Sequence, residues 1–230
     1  MKHTATTNIG SRKKNEDYCY ESEKLFVVCD GVGGNAYGEV ASKLACASFA
    51  DYFKQNSASV YDCDFLKSAL QYTIQKFKET EQKYPETSGM ATTIVLIAFD
   101  ESGIIVAWLG DSRLYHVRDG EIRFITDDHS LKNEMAKDGK DVSTISRNII
   151  TKALSAKTDC DFSYHGISKE ELQQGDYFFL CTDGVLENIS DEILCRELAT
   201  DNDFEEKAQI IFSLCEGKTK DNFTFQLIEL

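Results

Sequence analysis

The chain predicts an α+β sandwich in which helices lie outside antiparallel sheets, and three features carry that expectation. Short runs rich in Val, Ile, Phe and Thr recur at residues 25–29, 92–99, 104–109, 113–117, 122–125, 177–181 and 223–228, bounded by Gly, Asp or Ser, as strands are. Helical spacing falls between them. The link Arg118-Asp119-Gly120 is a hairpin signal, so the two runs it joins are antiparallel.

Among the helical segments, Val40, Leu44 and Ala47 repeat at i, i+4 and i+7, and Leu66, Leu70 and Phe77 continue such a stripe through residues 65–84. Residues 190–198 open with Ser-Asp-Glu, a helix N-terminus signal, and 203–214 read as a further helix. Helices flanking blocks of antiparallel strand exclude a doubly wound parallel sheet. A single proline, Pro85, and the absence of a Ser/Gly-rich run argue against an internal linker, so residues 1–230 are read as one domain.

Composition removes several function classes. With 39 Asp+Glu against 25 Lys+Arg, the formal net charge is −14, a field that repels nucleic acid phosphates. The eight cysteines are scattered and form no C-x-x-C, and most lie in apolar stretches. They read as reduced, buried thiols of a cytoplasmic protein. No leader pattern opens the chain, and no apolar run approaches the roughly 20 residues of a membrane span.

Aspartates stand where apolar strands end. Asp30 follows LFVVC, Asp111 follows IIVAWLG, Asp183 follows YFFLCT, and Asp221 precedes NFTFQLIEL. Any one of them taken alone reads as a turn residue, since Asp-Gly is a common turn dipeptide. Four together, with Asn15-Glu16-Asp17 near the start, are harder to assign to turns. A carboxylate on a rigid strand end, partly out of water, is costly unless paired. An all-oxygen cluster without His or Cys at ligand spacing is hard-cation chemistry, pointing to Mn²⁺ or Mg²⁺ and away from Zn²⁺.

The same residues carry a resemblance. Gly10-Ser11-Arg12-Lys13-Lys14-Asn15-Glu16-Asp17 resembles G-x-R-x-x-N-E-D, Asp30-Gly31-Val32-Gly33-Gly34 resembles D-G-x-G-G, and Gly89-Met90-Ala91-Thr92-Thr93 resembles G-M-G-T-T. Gly110-Asp111-Ser112-Arg113 matches G-D-S-R, and Thr126-Asp127-Asp128-His129-Ser130-Leu131 resembles T-x-D-H-S-L. Further on, residues 147–154 resemble R-N-x-I-T-R-A-L, Cys181-Thr182-Asp183-Gly184-Val185 resembles C-S-D-G-L, and Asp221-Asn222-Phe223-Thr224 resembles D-N-x-T. In this order, over nearly the whole chain, these strings are similar to the metal-dependent protein phosphatases of type 2C, in their bacterial form.

The resemblance implies a four-layer α-β-β-α sandwich and a serine/threonine protein phosphatase acting opposite a cognate kinase. Asp30 would bridge two metals, with Asp183 and Asp221 completing one site and the Gly31 carbonyl contributing to the other. Glu16 and Asp17 would hold the second metal's shell, directly or through water. Asp111, with Asp183, would hold a third and weaker ion, and Arg12 would bind phosphate. Guanidinium suits that task because its fork grips two oxygens at once. The other reading of Arg12 is a surface arginine in the basic patch Arg12-Lys13-Lys14.

Departures from the pattern bear on the general acid. Many relatives carry a histidine inside or just after the D-G-x-G-G turn, where this chain has Val32 and Asn35. His129 is the nearest substitute in sequence, with a structural hydrogen bond as its other reading. The stretch 130–146 is shorter than the family's usual approach to its flap and lacks the acidic run and His-Pro. Two alternatives accompany the phosphatase reading: a catalytically silent phosphoprotein-binding member, whose signature would be a lost metal aspartate, and a two-metal nuclease, which the acidic charge disfavours.

Overall fold

A computed structural model describes residues 1–32, 37–56, 58–146 and 149–230. In chain order its elements are β1 (Lys2–Asn8), β2 (Asp17–Glu21), β3 (Leu25–Asp30), α1 (Gly38–Gln55), α2 (Cys63–Lys83), β4 (Ala91–Thr92), β5 (Ile94–Phe99), β6 (Gly103–Leu109), β7 (Arg113–Arg118) and β8 (Glu121–Ile125). There follow α3 (Leu131–Lys137), β9 (Leu154–Ser155), β10 (Ser163–Ser168), β11 (Tyr177–Cys181), α4 (Asp191–Leu198), α5 (Phe204–Cys215) and β12 (Phe223–Glu229). Short 3₁₀ turns occupy Pro85–Thr87 and Asp183–Glu187.

Two five-stranded antiparallel sheets result, ordered β1-β12-β11-β7-β8 and β10-β6-β5-β3-β2. Side-chain alternation stacks them. On β3, Phe26 and Val28 point into a core shared with Phe178, Leu180 and Ile228 of the other sheet, while Leu25, Val27 and Cys29 face Phe49, Leu70 and Phe77 of α1 and α2. On β11, Phe178 and Leu180 face inward, while Phe179 and Cys181 meet Leu194, Ile211 and Cys215 of α4 and α5. A two-residue period thus gives each sheet a sheet-facing and a helix-facing surface. The expected α-β-β-α sandwich is the fold observed.

Helix starts are fixed by side chains that satisfy otherwise orphaned N–H groups. Asp62 accepts from Phe65 N, Ser190 from Ile193 N, and Asp203 with Glu206 forms a reciprocal capping box. At the β7–β8 hairpin, Asp119 and Gly120 both have positive φ, 52° and 72°, as a tight two-residue turn requires.

The run expected over 92–99 is cut in two. Thr93 leaves the ladder because its N–H donates to the Asp30 carbonyl at 2.8 Å and its hydroxyl accepts from Asp30 N at 3.0 Å. β4 then pairs with β9, and β5 joins the large sheet. The strands β1, β2 and β10 and the short helix α3 carry too few buried apolar residues to announce themselves.

Candidate metal centre

The β2–β3 ladder sets Asp17 directly opposite Asp30, so two carboxylates share one end of one sheet. From the other sheet, Asp183 arrives at the end of β11, and Asp221 just ahead of β12. Their approach is backbone against backbone: a Cβ built on Gly184 would fall 1.9 Å from the Asn222 carbonyl oxygen. Only glycine permits that contact. Gly31 is equally confined, since its Cβ would lie 2.4 Å from Gly38 C, and its N–H donates to the Glu16 carbonyl at 3.0 Å.

A cavity of about 230 Å³ lies where these ends meet, lined by Arg12, Glu16, Asp30, Gly31, Asp111, Asp183 and Asp221 together with Val32, Thr93, Ile150 and Asn222. Seven of the eight sequence-predicted site residues therefore line one space. The eighth, Asp17, sits behind Asp30: its Oδ2 accepts from Thr182 Oγ1 at 2.9 Å, while its buried Oδ1 finds no hydrogen-bond partner.

Crowding of like charge marks the site. Asp30 keeps some surface toward the cavity, yet burial and then Asp17, Asp183, Asp111 and Asp221 push its carboxyl well up. Burial first, then Asp183, raises Asp111 to about 7, and burial likewise raises Asp17 to about 7 against the hydrogen bond from Thr182. Asp183 is raised by burial and Asp221, and Glu16 by burial and Glu39. Carboxyls raised by one another are stabilised as anions by a cation among them.

Arg12 is turned onto Asp221. Its Nε donates to Oδ1 at 2.8 Å and its Nη2 to Oδ2 at 2.6 Å, a bidentate pair at the mouth of the cavity. Both Asp221 oxygens are thus engaged, and among the described residues no three Asp, Glu, His or Cys side chains already close on one point as a ready ligand set. The donor chemistry fits hard cations nonetheless: an all-oxygen cluster, an orphaned carboxylate oxygen on Asp17 and several carboxyls of raised pKa.

His129 lies outside this space. Its Nδ1 accepts from Gly110 N at 3.1 Å, its Nε2 meets Ser163 Oγ at 2.8 Å, and its ring stacks on Trp108. Burial, then Lys152, lowers its pKa to about 4, so it is neutral with both nitrogens engaged. Val32 lines the cavity with an apolar side chain, and Asn35, Gly33, Gly34, Arg147 and Asn148 lie outside the described residues.

The structure adds residues that sequence reading did not single out. Asn222 accepts from Glu16 N at 2.8 Å and donates to the carbonyls of Ile9 at 2.8 Å and Lys14 at 2.9 Å. One buried amide thereby ties the loop bearing Arg12 and Glu16 to Asp221. Asp128 grips Arg113 through two hydrogen bonds of 2.7 Å. Both residues stand inside the quoted motifs, which was the available signal.

Comparison with known proteins bears on the family and the fold. The family model described as protein phosphatase 2C matches residues 5–223. The serine/threonine phosphatase Stp of Listeria monocytogenes is 27% identical over 219 residues, covering 91% of this chain and 85% of that protein. The Mycobacterium tuberculosis serine/threonine phosphatase PstP has a similar structure, with a TM-score of 0.88 at 28% identity over 100% of this chain and 98% of that one. The catalytic domain of PstP in complex with two manganese ions is similar at a TM-score of 0.86 and 27% identity, over 99% and 97% of the two chains.

Proposed function

Given that the chain belongs to the protein phosphatase 2C family and is a metal-dependent serine/threonine protein phosphatase, we propose that Asp30, Asp183 and Asp221, with the Gly31 carbonyl, hold its two core cations. The observation that carries this is the meeting of these groups and Arg12 around one cavity from opposite ends of the sequence. Glu16 and Asp17 complete the second ion's shell, directly or through water, and Asp111 with Asp183 takes a third, weaker ion. Either Mn²⁺ or Mg²⁺ suits the oxygen donors. When bound, the pair supplies an acidified water and neutralises the phosphoryl oxygens.

The chain's own groups do the rest. Arg12 presents a fork already oriented by Asp221, and a phosphate dianion competes for that fork by offering two oxygens in the same geometry. Release of Arg12 to the substrate frees Asp221 for its cation, so phosphate binding and metal binding support each other. Asn222 holds the Arg12 loop in place, and Val32 and Ile150 keep an apolar edge on the cavity. Among the described residues no imidazole lines the cavity, so the proton for the departing alkoxide comes from water or from a cavity carboxyl.

Phosphoserine and phosphothreonine proteins, the targets of a cognate kinase, are the proposed substrates, and residues 1–230 the catalytic domain. Eight cysteines without a disulfide support a reducing compartment, the cytoplasm, as the proposed location. No helix among the described residues is long and apolar enough to cross a membrane. The test is a Mn²⁺ and Mg²⁺ titration with p-nitrophenyl phosphate, followed by phosphoserine, phosphothreonine and phosphotyrosine peptides. Turnover that requires divalent cation and favours the first two peptides is expected; absence of turnover at any metal concentration would favour the silent binding protein.

A further inference from the structure

The catalytic cavity continues into a second groove of about 490 Å³, and Asp111 and Asp183 line both. The groove runs between α3 on one side and the Asp183–Glu187 turn with the start of α4 on the other. Arg113 in its floor is matched by Asp128. Asp191 accepts from the Tyr115 hydroxyl at 3.0 Å and lies 4.0 Å from Arg113, and the balance is still one-sided: Glu187, Asp191 and Glu192 on the α4 wall face a single further cation, Lys132, on the α3 wall.

Two further observations give this excess of negative charge a direction. Asp111, only 8% exposed, lines the inner end of the groove, and among the described residues no other side chain donates a hydrogen bond to its carboxylate. Leu186 and Ile189 give the same wall an apolar base, along which the methylene stem of a long cationic side chain can lie.

We propose that this groove receives a Lys or Arg side chain of the substrate protein, a few residues from the phosphorylated Ser or Thr, so that the enzyme selects basic phosphosites. The proposal rests on the phosphatase reading and deepens it. Continuity with the catalytic cavity places the groove where residues flanking the phosphoresidue must pass, and its charge is complementary to a cation. The helix N-terminus accounts for part of the preference for acid at Asp191 and Glu192, and Glu187 accepts from Lys220 N at 2.8 Å, but neither accounts for the opening toward the catalytic cavity.

The test compares kcat/KM at saturating Mn²⁺ and low salt for p-nitrophenyl phosphate, a phosphothreonine peptide flanked by alanines, and the same peptide with arginines on either side. Exposed ion pairs each change an equilibrium by roughly 1.4- to 5-fold, so two contacts predict a preference of roughly 2- to 25-fold for the arginine peptide. Added salt should shrink it. Glu192→Lys should bring the ratio toward one, Lys132→Glu should widen it, and both should leave hydrolysis of p-nitrophenyl phosphate unchanged. Equal kcat/KM on the two peptides, or one ratio shared by all three proteins, overturns the groove proposal while the phosphatase reading stands. A wild-type protein that hydrolyses none of the three substrates refutes the phosphatase reading, and the groove proposal falls with it.

Discussion

Asp221 accepts both hydrogen bonds of the Arg12 fork, across 209 residues of sequence. Arg12 offsets part of the charge that Asp221 adds beside Asp183. The pair also sets substrate and cation in exchange for the same two side chains.

Arg12→Ala should therefore have two effects. Loss of a charge-assisted contact of about 1.5–3 kcal/mol lowers kcat/KM by roughly 10- to 150-fold. Half-activation by Mn²⁺ moves to lower concentration, because Asp221 no longer has a competing partner. Steady-state kinetics across a metal series reads both, and values within twofold of wild type would return Arg12 to the solvated surface.

Asp183→Asn should nearly abolish hydrolysis and leave the metal-free protein at least as stable as wild type. Burial and Asp221 raise the Asp183 carboxyl, so removing its charge relieves repulsion in the folded state. Calorimetry without metal, beside turnover with it, checks the claim. Substantial activity at saturating Mn²⁺ would contradict the assigned ligand role.

Stability of the metal-free protein should fall as pH rises from about 6.5 to about 8.5. Asp17 and Asp111 are held at about 7, above the unfolded value near 3.9. A group raised on folding stabilises the folded chain fully below its unfolded pKa and loses that contribution as pH climbs through the folded pKa. Across the window the two together amount to on the order of 1 kcal/mol. His116 and His129, both lowered, act in the opposite direction and offset part of this fall until about pH 7.5, where the unfolded histidines are neutral. Asp17→Asn should flatten the slope, and a metal-free protein that gains stability toward pH 8.5 would refute the account.

Asp111→Ala should keep the two core ions yet lose turnover at limiting Mn²⁺. Its melting temperature should not drop, because the buried carboxylate receives no hydrogen bond from another described residue and is raised by its neighbours. A turn-capping aspartate would behave in reverse, costing about 1 kcal/mol of stability with normal turnover per folded molecule. Thermal unfolding measured beside activity separates the two.

The central strands were legible because both their faces are buried: β3, β5, β6 and β11 read as continuous apolar runs. By contrast β1, with the sequence KHTATTN, and β10, with SYHGIS, are sheet edges whose half-exposed faces leave no apolar period to detect. The aspartates were legible for a related reason, since each interrupts such a run at its end. Asn222 was not, because its role lies in contacts with Ile9, Lys14 and Glu16, all more than 200 residues away in sequence. Nor could the Arg12–Asp221 pair be foreseen, as each residue was assigned on its own to phosphate or to metal.

β12 is an inner strand, held on one side by β1 and on the other by β11, with Lys2 opposite Glu229. During synthesis, everything from β1 to α5 leaves the ribosome before the strand that joins them exists. Until residue 229 is free, β1 has no ladder partner, β11 lacks one of its two, and Arg12 has no Asp221 to hold. A chain cut before β12 lacks the strand that joins β1 to β11, so on the proposed ligand set its metal centre is not assembled.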